Sequence, residues 1–212
     1  NSELDGEVTL NSSRGVRFDG IEKVQTLNVT GFTQKESAVF NFTGLKQVDK
    51  LTVNLGYVTE NAAALCFPDL EEVTGLLTLS EGSYGNFKQI EPVQIPVLRK
   101  VGALTYTGVI PVLELPALES VEGEFRVSTS YQNGPVRMLE EIRMPNLKNV
   151  GGLVLTSNAY SADNYNNLIT DLSCFSALES AGYVNIQKQA ALVSFEGLEK
   201  VINKLEGEDS WT

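Results

Sequence analysis

Apolar and polar positions along this chain fall into one frame that is written eight times. A large apolar residue is followed by Leu or Ile three positions on, by Val (once Ala) six on, and then by an apolar-x-apolar stretch. Phe18, Ile21, Val24, Leu27 and Val29 set the form. Further copies open at Phe42, Phe67, Ile95, Leu115, Met144, Phe175 and Phe195, at intervals of 24, 25, 28, 20, 29, 31 and 20 residues. Periods of this size belong to stacked repeat architectures, in which one unit cannot bury its own apolar face and neighbours complete the core.

Each copy divides by local period. Just before the opening residue lies a short alternating element, as in Val16-Arg17-Phe18, Phe40-Asn41-Phe42, Leu65-Cys66-Phe67, Val93-Gln94-Ile95, Leu113-Glu114-Leu115, Ile142-Arg143-Met144 and Val193-Ser194-Phe195. Period two predicts a short strand with one face inward. The next stretch carries Gly or Pro near its start (Gly20, Gly44, Pro68, Pro96, Pro116, Pro145, Gly197), which predicts a turn. A second strand follows, as in Leu27-Asn28-Val29, Leu51-Thr52-Val53, Phe125-Arg126-Val127 and Val184-Asn185-Ile186. The copies after Val73 and Val121 hold one extra residue here, which predicts bulges. Stacking places like strands in parallel ladders about 4.8 Å apart, so eight rungs span roughly 38 Å.

The residue after the Leu/Ile of the frame is charged in every copy: Glu22, Lys46, Glu71, Arg99, Glu119, Lys148, Glu179 and Glu199. Its sign alternates through the first seven. In a stack these side chains form an outward row of unlike neighbours that helps fix register. At the start, Leu4, Val8 and Leu10 alternate as a strand that opens the sheet. At the other end, Ile202-Asn203-Lys204-Leu205 predicts a helical or irregular cap. Residues 1–212 thus read as a single solenoid domain: 1–17 an N-terminal cap, 18–194 the repeats, 195–212 the last repeat and C-terminal cap. The expected fold is a β-rich solenoid, a parallel β-helix with about eight rungs and little helix.

The wording at Phe67–Leu79 (FPDLEEVTGLLTL) and Met144–Leu155 (MPNLKNVGGLVL) resembles the receptor L domain. That family includes the ligand-binding lobes of insulin- and epidermal-growth-factor-type receptors, and related repeats occur in fungal wall proteins and in leucine-rich-repeat lipoproteins secreted by Gram-negative anaerobes. The resemblance covers about residues 16–205. It implies a right-handed, leucine-rich-repeat-like solenoid that binds partners without catalysis. The chain lacks both the cysteine-rich modules of the receptors and the Ser/Thr-rich stalk of the fungal proteins, so the exported bacterial type resembles it most.

Net charge is −11, from 27 acidic and 16 basic residues, with no basic cluster, which argues against nucleic acid as a partner. No window approaches the ~20 apolar residues of a membrane span. The chain opens on Asn1 rather than Met, so an upstream segment is expected to have been removed. The expected setting is extracellular or the cell surface, with lipid anchoring upstream of Asn1 as one form. Sequons occur at Asn11, Asn28 and Asn41. Cys66 and Cys174 each sit one residue before an opening aromatic, four rungs apart. At that separation of roughly 19 Å they are expected to be free thiols.

The chain has no histidine, which removes His-based triads and His-bearing zinc sites. No phosphate-binding glycine loop is present. Carboxylate pairs suited to polysaccharide hydrolysis exist at Glu71-Glu72, Glu119-Glu122-Glu124 and Glu140-Glu141, but each reads as a solvated turn. Asp163, Asn164, Asn166 and Asp171 offer oxygen ligands without a calcium-loop spacing. No catalytic residue, metal or cofactor is therefore expected.

Variation concentrates after the second strand, where solenoids carry function. Phe32, Tyr57, Tyr84, Tyr131 and Tyr160 recur there, 14 to 17 residues after the opening residue of their copies. Tyr165 joins them in the longest insertion, Thr156–Ser173, for which a short helix over Asp163–Leu172 is expected. Tyrosine pairs an apolar body with a polar tip and suits sugar stacking or protein contact. The expected function is a non-enzymatic binding module that recognises a protein or glycan through this loop side, with these six residues as the ledge. A structural spacer of the cell envelope is the alternative, and a carbohydrate-active β-helix enzyme the third reading.

Overall fold

The computed structural model describes residues 2–11, 16–30, 39–55, 64–81, 93–108, 112–130, 139–158, 169–187, 189 and 192–201. Its long strands are β1 (Glu3–Asn11), β3 (Lys23–Thr30), β5 (Gln47–Leu55), β7 (Glu72–Glu81), β8 (Lys100–Gly108), β10 (Ser120–Ser130) and β12 (Asn149–Asn158). With β13 (Ser180–Ala181) and β14 (Val184–Gln187) they form a nine-stranded parallel sheet in chain order. The short strands β2 (Val16–Arg17), β4 (Val39–Asn41) and β6 (Ala64–Cys66) make a second parallel sheet. β9 (Val112–Glu114) and β11 (Glu141–Arg143) make a third. Gln94 adds one bridge to Cys66, so the short-strand ladder is split between the fourth and fifth copies.

Each frame position has one physical job. The opening residue and the Leu three positions on close a turn: Leu45, Leu118, Leu147 and Leu178 donate their N–H to the carbonyls of Phe42, Leu115, Met144 and Phe175. The charged residue that follows starts the ladder. The Glu22 carbonyl accepts N–H bonds from Lys46 (2.8 Å) and Gln47 (3.1 Å), and the pattern recurs along Lys46, Glu71, Arg99, Glu119 and Lys148. Pairing therefore begins before the Val of the frame, and the second strands are longer than their apolar-x-apolar cores. The residues of the charged row are all exposed. Lys46–Glu22 (3.5 Å) and Arg99–Glu119 (3.7 Å) form ion pairs along it.

One hydrophobic core takes side chains from both the long and the short strands. Phe42 and Phe67 stack with centroids 4.4 Å apart, and Phe18 tilts onto Phe42 at 5.6 Å. Burial of each such side chain contributes about 1.5–3 kcal/mol. The two expected bulges are present. Between Val73 and Leu77, β7 carries one residue more than β5 or β8, and β10 does the same between Val121 and Phe125. A third, unforeseen, lies in β1 between Leu4 and Val8, where Gly6 adopts φ 118. β1 itself pairs with β3 as the alternation of Leu4, Val8 and Leu10 implied.

Glycines accompany these irregularities. Gly75, Gly102, Gly123, Gly151 and Gly182 each follow the Val/Ala position by one or two residues, where successive backbones come closest. A Cβ on Gly102 would lie 2.3 Å from the Thr74 carbonyl oxygen, and one on Gly151 would lie 2.4 Å from that of Glu122.

Two expectations are corrected. Val193-Ser194-Phe195 is not a strand, and Val193 and Phe195 are 87% and 55% exposed, although Leu198 and Val201 remain in the core. No later strand among the described residues pairs there to hold it extended. The insertion before the seventh copy is not helical over residues 169–172. The turn there is instead a 3-10 helix, Ser173–Phe175, and Asp171 just before it accepts the Ser173 N–H at 2.9 Å. Residues 199–201 are helical, as a cap would begin, while residues 202–212 lie outside the described ones. No helix among the described residues is long and apolar enough to cross a membrane.

Candidate functional site

All six ledge residues, Phe32, Tyr57, Tyr84, Tyr131, Tyr160 and Tyr165, lie outside the described residues. The ends of the strands that lead to five of them are described. Thr30 pairs with Asn54, Asn54 with Ser80, and Ser130 with Asn158. Because the sheet is parallel, the described strand ends Thr30, Leu55, Glu81, Gly108, Ser130 and Asn158 lie along one edge of it.

The carboxylate pairs are engaged or apart. Glu72 accepts a 2.9 Å bond from Gln47 Nε2, while Glu71 sits in the charged row. Glu119 pairs with Arg99, whereas Glu124 belongs to a separate cluster described below. Glu141 accepts two bonds from Arg143, at 2.7 Å and 2.8 Å, and this guanidinium holds its carboxyl below the usual range. Glu140 and Glu141 line a cavity of about 350 Å³ with Asp171, Ser173 and Cys174. Asp171 is spent on the turn, accepting the Ser173 hydroxyl and N–H, which hold its carboxyl low. Of the proposed calcium ligands it alone is described, and no metal-binding group of acidic or sulfur side chains forms among the described residues. Burial first, and then Asp171, push the Cys174 thiol up to about 12, so it stays protonated and a poor nucleophile.

The outward face of the nine-stranded sheet presents a different chemistry. Inward Leu27 and Val29 alternate with outward Asn28 and Thr30, and the long strands from β1 to β10 repeat the alternation. Register aligns Thr9, Asn28, Thr52, Thr78 and Thr105 in one outward column. Asn11, Thr30, Asn54, Ser80 and Thr107 align in the next. The first column continues to Arg126 on β10 and the second to Ser128. At β12 the outward Val154 is buried and interrupts the first column, while the second runs on through Thr156 to Gln187.

A polar cluster stands at that end. Arg126 Nε donates to Glu124 Oε1 at 2.6 Å, and the Tyr183 hydroxyl donates to Glu124 Oε2 at 2.5 Å. The Tyr183 ring crosses above Gly152, where a Cβ would meet ring carbons at 2.2 Å and 2.4 Å. These bonds lower the Glu124 pKa, the Arg126 bond first, and the Glu124 bond raises that of Tyr183. Tyr183 stays 46% exposed.

No protein-family model, curated protein or solved structure matches the chain. The site is therefore defined by its own geometry. Sequence reasoning missed Tyr183, although a signal existed. At the equivalent outward position the other copies carry Thr26, Lys50, Leu76, Ala103, Glu124 and Gly152. A lone aromatic there departs from the column.

Proposed function

We propose that this chain is a non-enzymatic extracellular or cell-surface binding module. In this reading it is a right-handed parallel β-helix of the leucine-rich-repeat-like, receptor L-domain type, and it recognises a protein or a glycan through its variable-loop side. One observation carries the reading: strand ends that precede segments of unequal length lie side by side along one edge of a parallel sheet. A regular scaffold that gathers variable segments at one edge offers a surface that can change without disturbing the core. Catalysis has no part in the reading, because Glu124, Glu141 and Asp171 are held ionised by their partners rather than raised as a general acid needs.

The spacer reading draws support from the unbroken bonding along the charged row, from Ser2 through Glu179, which stiffens the stack. Arrays of neutral and acidic oligosaccharides and of extracellular proteins separate the two. The binding reading expects a ligand whose affinity falls about tenfold or more when Tyr84 and Tyr131 are both replaced by Ala, with unchanged melting. Unchanged affinity for every ligand found would remove the loop side from the function, and no ligand at all would leave the spacer.

A further inference from the structure

We propose that the outward face of the nine-stranded sheet binds an uncharged polysaccharide, laid across the strands over the hydroxyl and amide columns with one sugar ring stacked on Tyr183. The proposal rests on the reading of the chain as a binding module and adds a contact on the sheet face to the one on the loop side. A pyranose has an apolar face of C–H groups and a rim of hydroxyls, so it needs a ring to stack on and a field of donors and acceptors.

Both are present and pre-positioned. Tyr183 is tied at its hydroxyl to Glu124 and passes over Gly152, yet nearly half of its surface stays open. A ring already held in place contributes stacking without paying to be ordered. Across β10 from it, Thr105 and Thr78 stand in a column of mainly β-branched residues with few rotamers to lose, spaced about 4.8 Å across the strands and roughly 6.8 Å along them from the second column. Charge selects the class of chain. The molecule carries −11, which disfavours a polyanion, while the two columns bear no charge from β1 to β8 and Arg126 is neutralised by Glu124. A protein partner would call for an apolar centre to its contact, and the columns offer hydroxyls and amides instead.

The test is sedimentation with particulate β-1,3-glucan, cellulose and chitin, with soluble polygalacturonate as competitor. The expected result is binding to at least one neutral polymer that added salt and polygalacturonate leave unchanged. It should weaken about tenfold or more in Tyr183→Ala and in Thr105→Arg, the scale of a lost aromatic anchor. Tyr183→Phe keeps the ring and should retain most of the binding, and Thr78→Arg repeats the blocking test at a second site. Melting curves confirm that each variant folds. Failure to bind any of the three polymers overturns the proposal. So does full binding by Tyr183→Ala, Thr105→Arg and Thr78→Arg. Loss confined to Tyr84→Ala/Tyr131→Ala overturns it too, but leaves the module with its contact on the loop side.

Discussion

Gly102 and Gly151 follow the buried Val101 and Val150 at points where the neighbouring backbone leaves no room for a Cβ. Gly102→Ala must push against the Thr74 and Gly75 carbonyl oxygens, which are backbone and cannot swing away. The expected cost is about 1–3 kcal/mol, read from urea unfolding. At Gly20, φ is 81 but the space is open, so Ala there should cost less, about 1–2 kcal/mol of backbone strain alone. Equal stability of Gly102→Ala and wild type would contradict the packing. The thiols give a second residue-level expectation. Cys66 and Cys174 are free. Burial raises both pKa values, that of Cys174 to about 12. At about pH 8, Cys174 should react with a disulfide reagent far more slowly in the native protein than after denaturation. Two thiols per chain should then titrate, and a mapped bridge between them would contradict the stack. Glu124 supplies the pH dependence. Its folded pKa lies below the ordinary 4.5, so the cluster's contribution is complete above that value and is lost as pH falls through the depressed one. Glu124→Gln should flatten the acid limb of melting temperature against pH.

The strands and turns carry expectations of their own. Along the charged row each residue starts a ladder against the one before it, which brings unlike charges side by side: Lys148 N–H bonds to the Glu119 carbonyl at 2.9 Å and Glu179 N–H to the Lys148 carbonyl at 2.7 Å. Lys148→Glu places an acidic side chain between Glu119 and Glu179. The expected loss is about 0.2–1 kcal/mol, and it should shrink at about 1 M salt, where surface charges are screened. A loss indifferent to salt would point to packing instead. β1 is the exposed first strand of the large sheet, and it is acidic (Glu3, Asp5, Glu7) and bulged at Gly6. These features discourage pairing with another chain. Removing residues 1–11 uncovers the regular β3 edge, and concentration-dependent association should follow in sedimentation velocity. A monodisperse monomer at all concentrations would show that β1 guards nothing.

Across the whole molecule, each long strand bonds only to its sequence neighbours in the sheet. Stability is then a chain of nearest-neighbour interfaces, and the ends open before the middle. Amide exchange should be slowest in β5, β7, β8 and β10 and fastest in β1 and β14. Exposed Phe195 and Val193 fit a weaker far end. Uniform protection from β1 to β14 would mean one all-or-none unit.

Much of this was legible in the residues. Spacing between Val73 and Leu77, or Val121 and Phe125, holds one residue too many for two fixed inward marks, and only a bulge absorbs it. The turn at Phe42 and Leu45, the alternating row and the opening strand at Leu4–Leu10 followed from the same period, because an inward or outward choice is a local property of the backbone. Phe195 failed that reading, since the frame records only that a residue suits a core; a second surface must cover it. The outward site failed for the related reason that its parts are remote in the chain. Glu124 and Tyr183 are 59 residues apart and meet only because β10, β12 and β14 stack in register with Gly152 between them. Periodicity determined which residues enter the core and where the chain turns; register across strands, which no single copy contains, decided which outward side chains stand together.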